Sequence, residues 1–117
     1  ANLFYRYFEP RVQEVVDRYV NESRRLLEVL DGQLQHSEWL ADDYSIADIA
    51  NWCWVRLHFW GGISLEGLDG LLRWKTAMDA RPACQRGVEV PNRLVLPEGE
   101  GEEFEQFAAR AQTIYTR

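Results

Sequence analysis

The chain has 117 residues, of which 46% are hydrophobic and 27% are charged, and its formal net charge is −6. These values are typical of one globular domain with its own core. The negative charge disfavours nucleic acid and anionic membrane surfaces as partners, because both attract basic patches. No apolar run suffices for a membrane span and the first residues show no signal-peptide pattern, so we expect a cytoplasmic protein.

The chain opens on an aromatic segment, residues 1–9, which includes Phe4, Tyr7 and Phe8. The segment has no initiator methionine and no clear N-cap, and Pro10 follows it. A helix that starts without capping residues is like one that has been cut. We therefore interpret residues 1–9 as the end of a truncated first helix.

A long helix is predicted from Pro10 to Leu34. Proline is tolerated in a first helical turn, because its missing N–H has no helical partner there. Apolar side chains then recur at steps of three and four, which predicts one stripe facing the core. The stripe consists of Val12, Val16, Tyr19, Ser23, Leu26, Leu30 and Leu34. A polar loop follows over residues 35–43.

The next helix begins with a capping box, in which Ser45 and Asp48 each accept a hydrogen bond from the other's backbone N–H. Tyr44 and Ile49 flank the cap at the spacing of a hydrophobic staple. We interpret the Ser45–Asp48 pair as structural, because no histidine lies at a position that would complete a catalytic triad. The helix is predicted to run to Gly61-Gly62. Since it is apolar on most sides, we expect it to be central and buried.

Two further helices are predicted over residues 68–80 and 82–88, separated by Arg81-Pro82, because the residue before a proline avoids helical geometry. We interpret residues 91–101 as an acidic connection. Residues 102–116 are predicted to form a final docked helix. No segment alternates as a strand does, so the class is all-α. The expected inner side chains of the helix over 68–80 are Leu68, Leu71, Leu72, Trp74 and Met78.

The remaining reactive side chains give no catalytic pattern. Cys53 and Cys84 form neither a disulfide framework nor a CxxC motif, and we expect both to be buried structural thiols. His58 is expected to be a core or cleft residue. No spacing of His, Cys and Asp predicts a metal site.

Two local sequences resemble the C-terminal domain of glutathione transferases. They are YSIADIA at residues 44–50, which matches the family's capping motif, and ARPACQRG at residues 80–87. Asp17-Arg18-Tyr19 with Glu22, and Trp39-Leu40-Ala41, resemble the bacterial nu class, which is related to fungal prion-forming transferase relatives. The chain departs from the family at YFEP, residues 7–10, where Tyr-Ala-Pro-Glu is usual, and beyond Pro91 it matches no family pattern.

The resemblance implies that residues 1–117 form one all-α bundle of the glutathione-transferase C-terminal type. In that family an N-terminal thioredoxin-like domain, absent from this chain, supplies most of the glutathione site and activates the glutathione thiol. The helical domain alone is therefore not expected to be a complete enzyme. The complete parent is expected to be a homodimer that uses glutathione, and no metal, to conjugate small electrophiles or to reduce disulfides or peroxides.

Four residues are candidate site residues through this resemblance. Arg18 matches the nu-class arginine that pairs with a glutathione carboxylate, a group that suits a guanidinium. The alternative is a solvated arginine paired with Glu14 or Glu22. Arg24 is expected to be an ordinary surface charge. A hydrophobic co-substrate wall is expected from Phe4, Tyr7 and Phe8, for which the alternative is packing against the missing domain.

The alternative hypothesis is that the chain is a non-catalytic helical interaction module of transferase-like fold. The reading frame upstream of Ala1 discriminates the two. A thioredoxin-like β-α-β segment with a cis-proline favours the enzyme, and its absence favours the module.

Overall fold

The computed structural model describes residues 12–91 and Gln106. Within these residues the chain is helical and contains no strand apart from an isolated bridge between Ala41 and Asp43. The elements are α1 (Gln13–Leu34), α2 (Ile46–Val55), a 3-10 helix (His58–Gly61), α3 (Asp69–Asp79) and α4 (Pro82–Gly87). The all-α class is thereby confirmed.

The sequence signals placed α3 and α4 within one residue at each end, and α1 begins at Gln13, three residues after the predicted Pro10. The largest difference is at α2, which ends at Val55 instead of at the glycine pair. There the hydrogen bonding tightens, because Leu57 N–H bonds to the oxygen of Trp54 at 3.0 Å, three residues back. Gly62, at φ +69°, closes the 3-10 helix in the left-handed conformation that suits glycine.

The core lies around α3, where Leu71, Trp74 and Met78 are completely buried. Helix α1 packs closely on this helix at Gly70. A Cβ atom at Gly70 would lie 3.0 Å from both Gln35 N and Leu34 C, so only glycine fits without a shift of backbone. The core cluster comprises Leu34, Trp52, Val55, Leu65, Leu68, Leu71, Trp74, Met78 and Cys84.

The expectation that α2 is the central buried helix is wrong. Ile46 is 84% exposed, Ile49 44% and Trp54 80%, whereas Trp52 and Val55 are buried. The helix packs on α3 along one face, and among the described residues nothing covers the other. Hydropathy alone does not distinguish a helix that is covered on all sides from one that is covered on a single face.

Two sets of side chains that were predicted to face the core, one on α1 and one on α3, are also only partly buried. Of the α1 stripe, Val16 and Leu34 are buried, whereas Val12, Tyr19 and Leu26 are exposed. Leu72 of α3 is 39% exposed. The predicted first-helix end over residues 1–9 lies outside the described residues. So do the 91–101 connection and the 102–116 helix, apart from Pro91 and Gln106, of which Gln106 is helical and exposed.

Candidate functional site

Asp48 is fully buried and is the centre of a hydrogen-bond network at the start of α2. Its Oδ2 accepts from the N–H of Ser45 at 2.9 Å, and the Ser45 hydroxyl accepts from the N–H of Ala47 at 3.2 Å. The reciprocal capping box is present. The Oδ1 atom accepts from Leu40 N–H at 3.1 Å and from Trp74 Nε1 at 2.8 Å. Asp48 therefore joins α2 to the preceding loop and to α3.

These hydrogen bonds also determine the charge state of Asp48. Burial raises the pKa of its carboxyl, because a charged group loses hydration. The hydrogen bonds from Leu40, Ser45 and Trp74 favour the carboxylate and outweigh burial, so the net pKa of Asp48 is lowered. An ionised carboxylate whose oxygens already accept these bonds holds the fold together; it is not placed as a general acid.

Tyr44 packs against two side chains that the sequence did not connect with it. Its ring is 5.2 Å from that of Trp39 in an edge-to-face arrangement, and the Arg81 guanidinium lies 3.6 Å from its centroid. Arg81 is the residue before α4, so this cation–π contact ties the start of α4 to the loop before α2. The predicted staple between Tyr44 and Ile49 stays a prediction.

Asp31 is a structural residue that the sequence reasoning missed. It is 4% exposed, and its Oδ1 accepts from Leu71 N–H at 2.9 Å while its Oδ2 accepts from Gln35 Nε2 at 2.7 Å. The N-cap residue of α3, Leu68, has no side-chain cap, so α1 supplies the cap instead. The signal was present, since Asp31 stands at a core-facing position between apolar residues of the α1 stripe.

Arg24 is not the ordinary surface charge that was expected. Its Nη1 donates to the backbone oxygen of Ser64 at 2.7 Å and its Nη2 to that of Glu66 at 2.9 Å. Its Nε bonds to Glu28 at 3.0 Å. Arg24 thus fixes the loop before α3 to the middle of α1, a role that depends on residues forty positions away.

Arg18, the predicted glutathione ligand, lies exposed on α1. The neighbouring carboxylate of Glu22 accepts from Arg25 through both oxygens at 2.8 Å. The pKa of Glu22 is lowered chiefly by the hydrogen bond from Arg25, and the charge of Arg18 adds a smaller effect. Glu22 is therefore engaged mainly with Arg25, and the glutathione role of Arg18 stays a prediction.

A mainly apolar groove of about 660 Å³ separates α1 from α2 and the 3-10 helix; we call it the α1–α2 groove. His58 lies in it as a cleft residue, with Nδ1 2.7 Å from the oxygen of Ile63, and Asn51 donates to Ala47 O at 2.9 Å. Both polar side chains thus bond to nearby backbone. The described lining residues are Tyr19, Ser23, Leu26, Leu27, Leu30, Asn51, Trp54, Val55, Leu57, His58, Trp60, Gly61 and Ile63.

The two thiols differ from the expectation of a buried pair. Cys84 is buried, and burial raises the pKa of its thiol. Cys53 is exposed, because it lies on the uncovered face of α2. Residues 12–91 hold no group of three or more His, Cys, Asp or Glu side chains that could bind a metal ion.

The predicted co-substrate wall of Phe4, Tyr7 and Phe8 lies outside the part of the chain that the structure describes. No helix in the described part combines the length and apolar character needed to cross a membrane.

Comparison with known proteins places this architecture in a family. The model of the family "Glutathione S-transferase, C-terminal domain" matches residues 2–82. The chain is 37% identical over 102 residues to the disulfide-bond oxidoreductase YghU of Escherichia coli (strain K12), covering 80% of this chain and 35% of that protein. It is 39% identical over 69 residues to the disulfide-bond oxidoreductase YfcG of the same organism, covering 58% and 32%.

A glutathione S-transferase domain-containing protein of Dictyostelium discoideum is 42% identical over 84 residues, covering 68% of this chain and 32% of that protein. The chain therefore spans about a third of the length of each of these relatives. Its helix order, its capping box and the family match over most of its length agree: the chain belongs to the glutathione S-transferase family and corresponds to its C-terminal domain.

Proposed function

We propose that this chain is the helical domain of a longer glutathione-dependent enzyme that reduces disulfide bonds. The observation that carries the proposal is the family match over residues 2–82, together with two similar relatives that are disulfide-bond oxidoreductases. Because the chain spans about a third of those relatives, an N-terminal thioredoxin-like domain is expected to supply most of the glutathione site. Glutathione conjugation and peroxide reduction are the other reactions of the same thiol.

In this proposal the nucleophile is the thiolate of glutathione. A thiolate attacks a disulfide sulfur, and its reactivity depends on how much of the thiol is ionised. Cys84 is unsuited to this role, because it is buried and its pKa is raised. The described helices offer positioning groups and apolar surface, which fits a domain that shapes the pocket for the second substrate while another domain activates the thiol.

Arg18 is the described residue that we assign to glutathione. Its exposure and its place on α1 make its guanidinium available to a carboxylate. Since Arg25 already donates to both oxygens of Glu22, that carboxylate competes poorly for Arg18. The pairing would bind a negatively charged end of glutathione, remote from the reacting sulfur.

Two further roles are proposed, one for a co-substrate wall outside the described residues and one for the contact between subunits. Phe4, Tyr7 and Phe8 would form the wall that receives the apolar part of an electrophile or disulfide, by burial and stacking. The complete protein would be a cytoplasmic homodimer, with this domain contributing part of the contact between subunits.

The test compares the isolated chain with the complete parent. Titration calorimetry with glutathione should give weak or no binding for residues 1–117, while the parent should bind glutathione and catalyse its exchange with a small disulfide. Tight binding by the isolated chain would contradict the proposal that the N-terminal domain supplies most of the glutathione site. A parent without thiol-transfer, conjugating or peroxidase activity would favour the non-catalytic interaction module.

A further inference from the structure

Three charged side chains follow one another on the exposed surface of α1, in the order Arg18, Glu22 and Arg25. The Arg25 guanidinium donates to both oxygens of the Glu22 carboxylate, from Nε and from Nη2, at 2.8 Å each. A two-point pair of this kind has a defined geometry, because the planar guanidinium matches both oxygens. Among the described residues, no carboxylate forms an ion pair with Arg18. Arg25 is therefore engaged, whereas Arg18 is available to a ligand.

Glu22 occupies the position from which a carboxylate could pair with Arg18. Residues four apart on a helix are neighbours on its surface, and opposite charges at this spacing attract each other. The pKa of Glu22 reflects both arginines, since it is lowered chiefly by the hydrogen bond from Arg25 and to a smaller extent by the charge of Arg18. The Glu22 carboxylate therefore lies within reach of the Arg18 charge, but Arg25 holds it.

The pair between Glu22 and Arg25 also determines the local charge beside Arg18. Two positive charges and one negative charge leave this part of α1 with a net positive charge, which attracts an anion. The rise per residue places Glu22 about 6 Å from Arg18 along the helix axis, inside the screening length of about 8 Å at physiological salt. An unpaired Glu22 would therefore attract Arg18 and repel the carboxylate of an incoming ligand.

We propose that Arg25 is a positioning residue for glutathione, because it holds Glu22 and thereby keeps Arg18 available to a carboxylate of the tripeptide. This inference rests on the proposed function, in which Arg18 binds glutathione. Without Arg25, Glu22 becomes a competitor for the Arg18 guanidinium, and glutathione has to displace it. Binding is weakened, whereas the reacting sulfur, which is remote from the contact, is little affected.

Steady-state kinetics of the complete parent test this role. Arg25→Ala should raise KM for glutathione about two- to fivefold, the range expected for an exposed ion pair, and should change the turnover number less. Arg25→Ala/Glu22→Gln should return KM close to the wild-type value, since the competitor has lost its charge. An equal rise of KM in the single and the double variant overturns the proposal. Both side chains are more than half exposed, so thermal unfolding should hardly change.

The matched control removes a different carboxylate from α1. Glu28 lies ten residues beyond Arg18, about 15 Å along the helix axis and outside the screening length. Arg25→Ala/Glu28→Gln has the same net charge as the rescued variant but keeps Glu22, so its KM should stay as high as that of Arg25→Ala. Arg24, the partner of Glu28, keeps its two bonds to the loop before α3. Recovery of KM in both double variants overturns the proposal, because net charge alone would then explain the effect.

The Glu22 carboxyl provides a readout that does not depend on glutathione. NMR titration of the 117-residue chain measures its pKa in the wild type, in Arg18→Ala, in Arg25→Ala and in the double variant. Arg18→Ala should raise the pKa of Glu22 more when Arg25 is absent than when it is present, because the released carboxylate then pairs with Arg18. Equal increases in the two backgrounds overturn the proposal.

The two experiments together distinguish a failure of this inference from a failure of the proposed function. If Arg18→Ala raises KM for glutathione and Arg25→Ala does not, the positioning role of Arg25 is wrong and the binding role of Arg18 stands. If Arg18→Ala leaves KM unchanged although the titration shows the coupling, the binding role of Arg18 is wrong, and the role of Arg25 in glutathione binding is wrong with it.

Discussion

Asp31 Oδ1 lies 2.9 Å from the backbone nitrogen of Leu71, so a side chain of α1 caps the N-terminus of α3. The contact joins residues forty positions apart and is buried. It makes the start of the most deeply buried helix depend on the helix against which it packs.

Replacing Asp31 by Ala should therefore lower the free energy of unfolding by about 2 kcal/mol, because a buried N–H loses its acceptor. Urea denaturation of the purified chain measures this. Asp17→Ala is the matched control, since Asp17 is on the same helix and only accepts an exposed hydrogen bond from Gln13. Equal effects of the two substitutions would show that the cap adds nothing to stability.

Gly70→Ala should destabilise the fold by about 1–3 kcal/mol, although alanine favours helices over glycine by about 1 kcal/mol. The new methyl group would press on backbone atoms of Leu34 and Gln35 at 3.0 Å, and backbone cannot move aside as a side chain can. Gly32→Ala, within α1 with nothing within 4 Å of the added Cβ, should instead be neutral or stabilising. Thermal unfolding of both variants tests this prediction. If Gly70→Ala is as stable as the wild type, α1 and α3 are farther apart than described above.

Asp48→Ala should lower the free energy of unfolding by about 3 kcal/mol or more, because one buried donor and two partly buried donors lose their acceptor at once. Per folded molecule, the activity of the parent should barely change. A collapse of activity with unaltered stability would refute the structural role.

The same residue predicts a pH dependence. Because the folded pKa of Asp48 is lowered, its contribution to stability is complete above the unfolded pKa of about 3.9 and is lost as the pH falls through the folded value. The stability gap between the wild type and Asp48→Asn should therefore be constant near neutrality and narrow below about pH 4. Denaturation curves at pH 7 and pH 3 test this, and a gap that widens in acid would reverse the sign of the shift.

Arg18→Ala in the complete parent should raise KM for glutathione by about 10- to 100-fold, as expected for a charge-assisted contact worth about 1.5–3 kcal/mol. The turnover number should fall less, because the contact is remote from the sulfur and equal in ground and transition states. Arg18→Lys should recover part of the loss, since an ammonium lacks the planar fork. Folding stability should hardly change.

The control for Arg18 has to be chosen with the structure in view. Arg24 is unsuitable because it fixes the loop before α3, and Arg25 is unsuitable because its removal releases Glu22 beside Arg18. Arg86, exposed on α4, is the appropriate comparison. If Arg86→Ala and Arg18→Ala shift the glutathione dependence equally, then Arg18 is a solvated surface charge.

The sequence predicted what local chemistry determines. The start of α2 follows from a capping box of adjacent residues, and the start of α4 from a proline, so both were placed correctly. The prediction that α2 is central and buried was wrong, because burial depends on which segments pack against a helix. Hydropathy does not identify those segments. The roles of Asp31 and Arg24 were missed because their partners lie about forty residues away along the chain.

The contrast between the two thiols makes the protein easy to label. The chain contains only Cys53 and Cys84, and Cys84 is enclosed in the core with a raised pKa, whereas Cys53 faces solvent. A maleimide reagent should therefore add once to the folded chain and twice to the unfolded one, which mass spectrometry would resolve. A single fluorophore would then sit on the open face of α2, one residue from Trp54, where its emission would report any partner that covers that face.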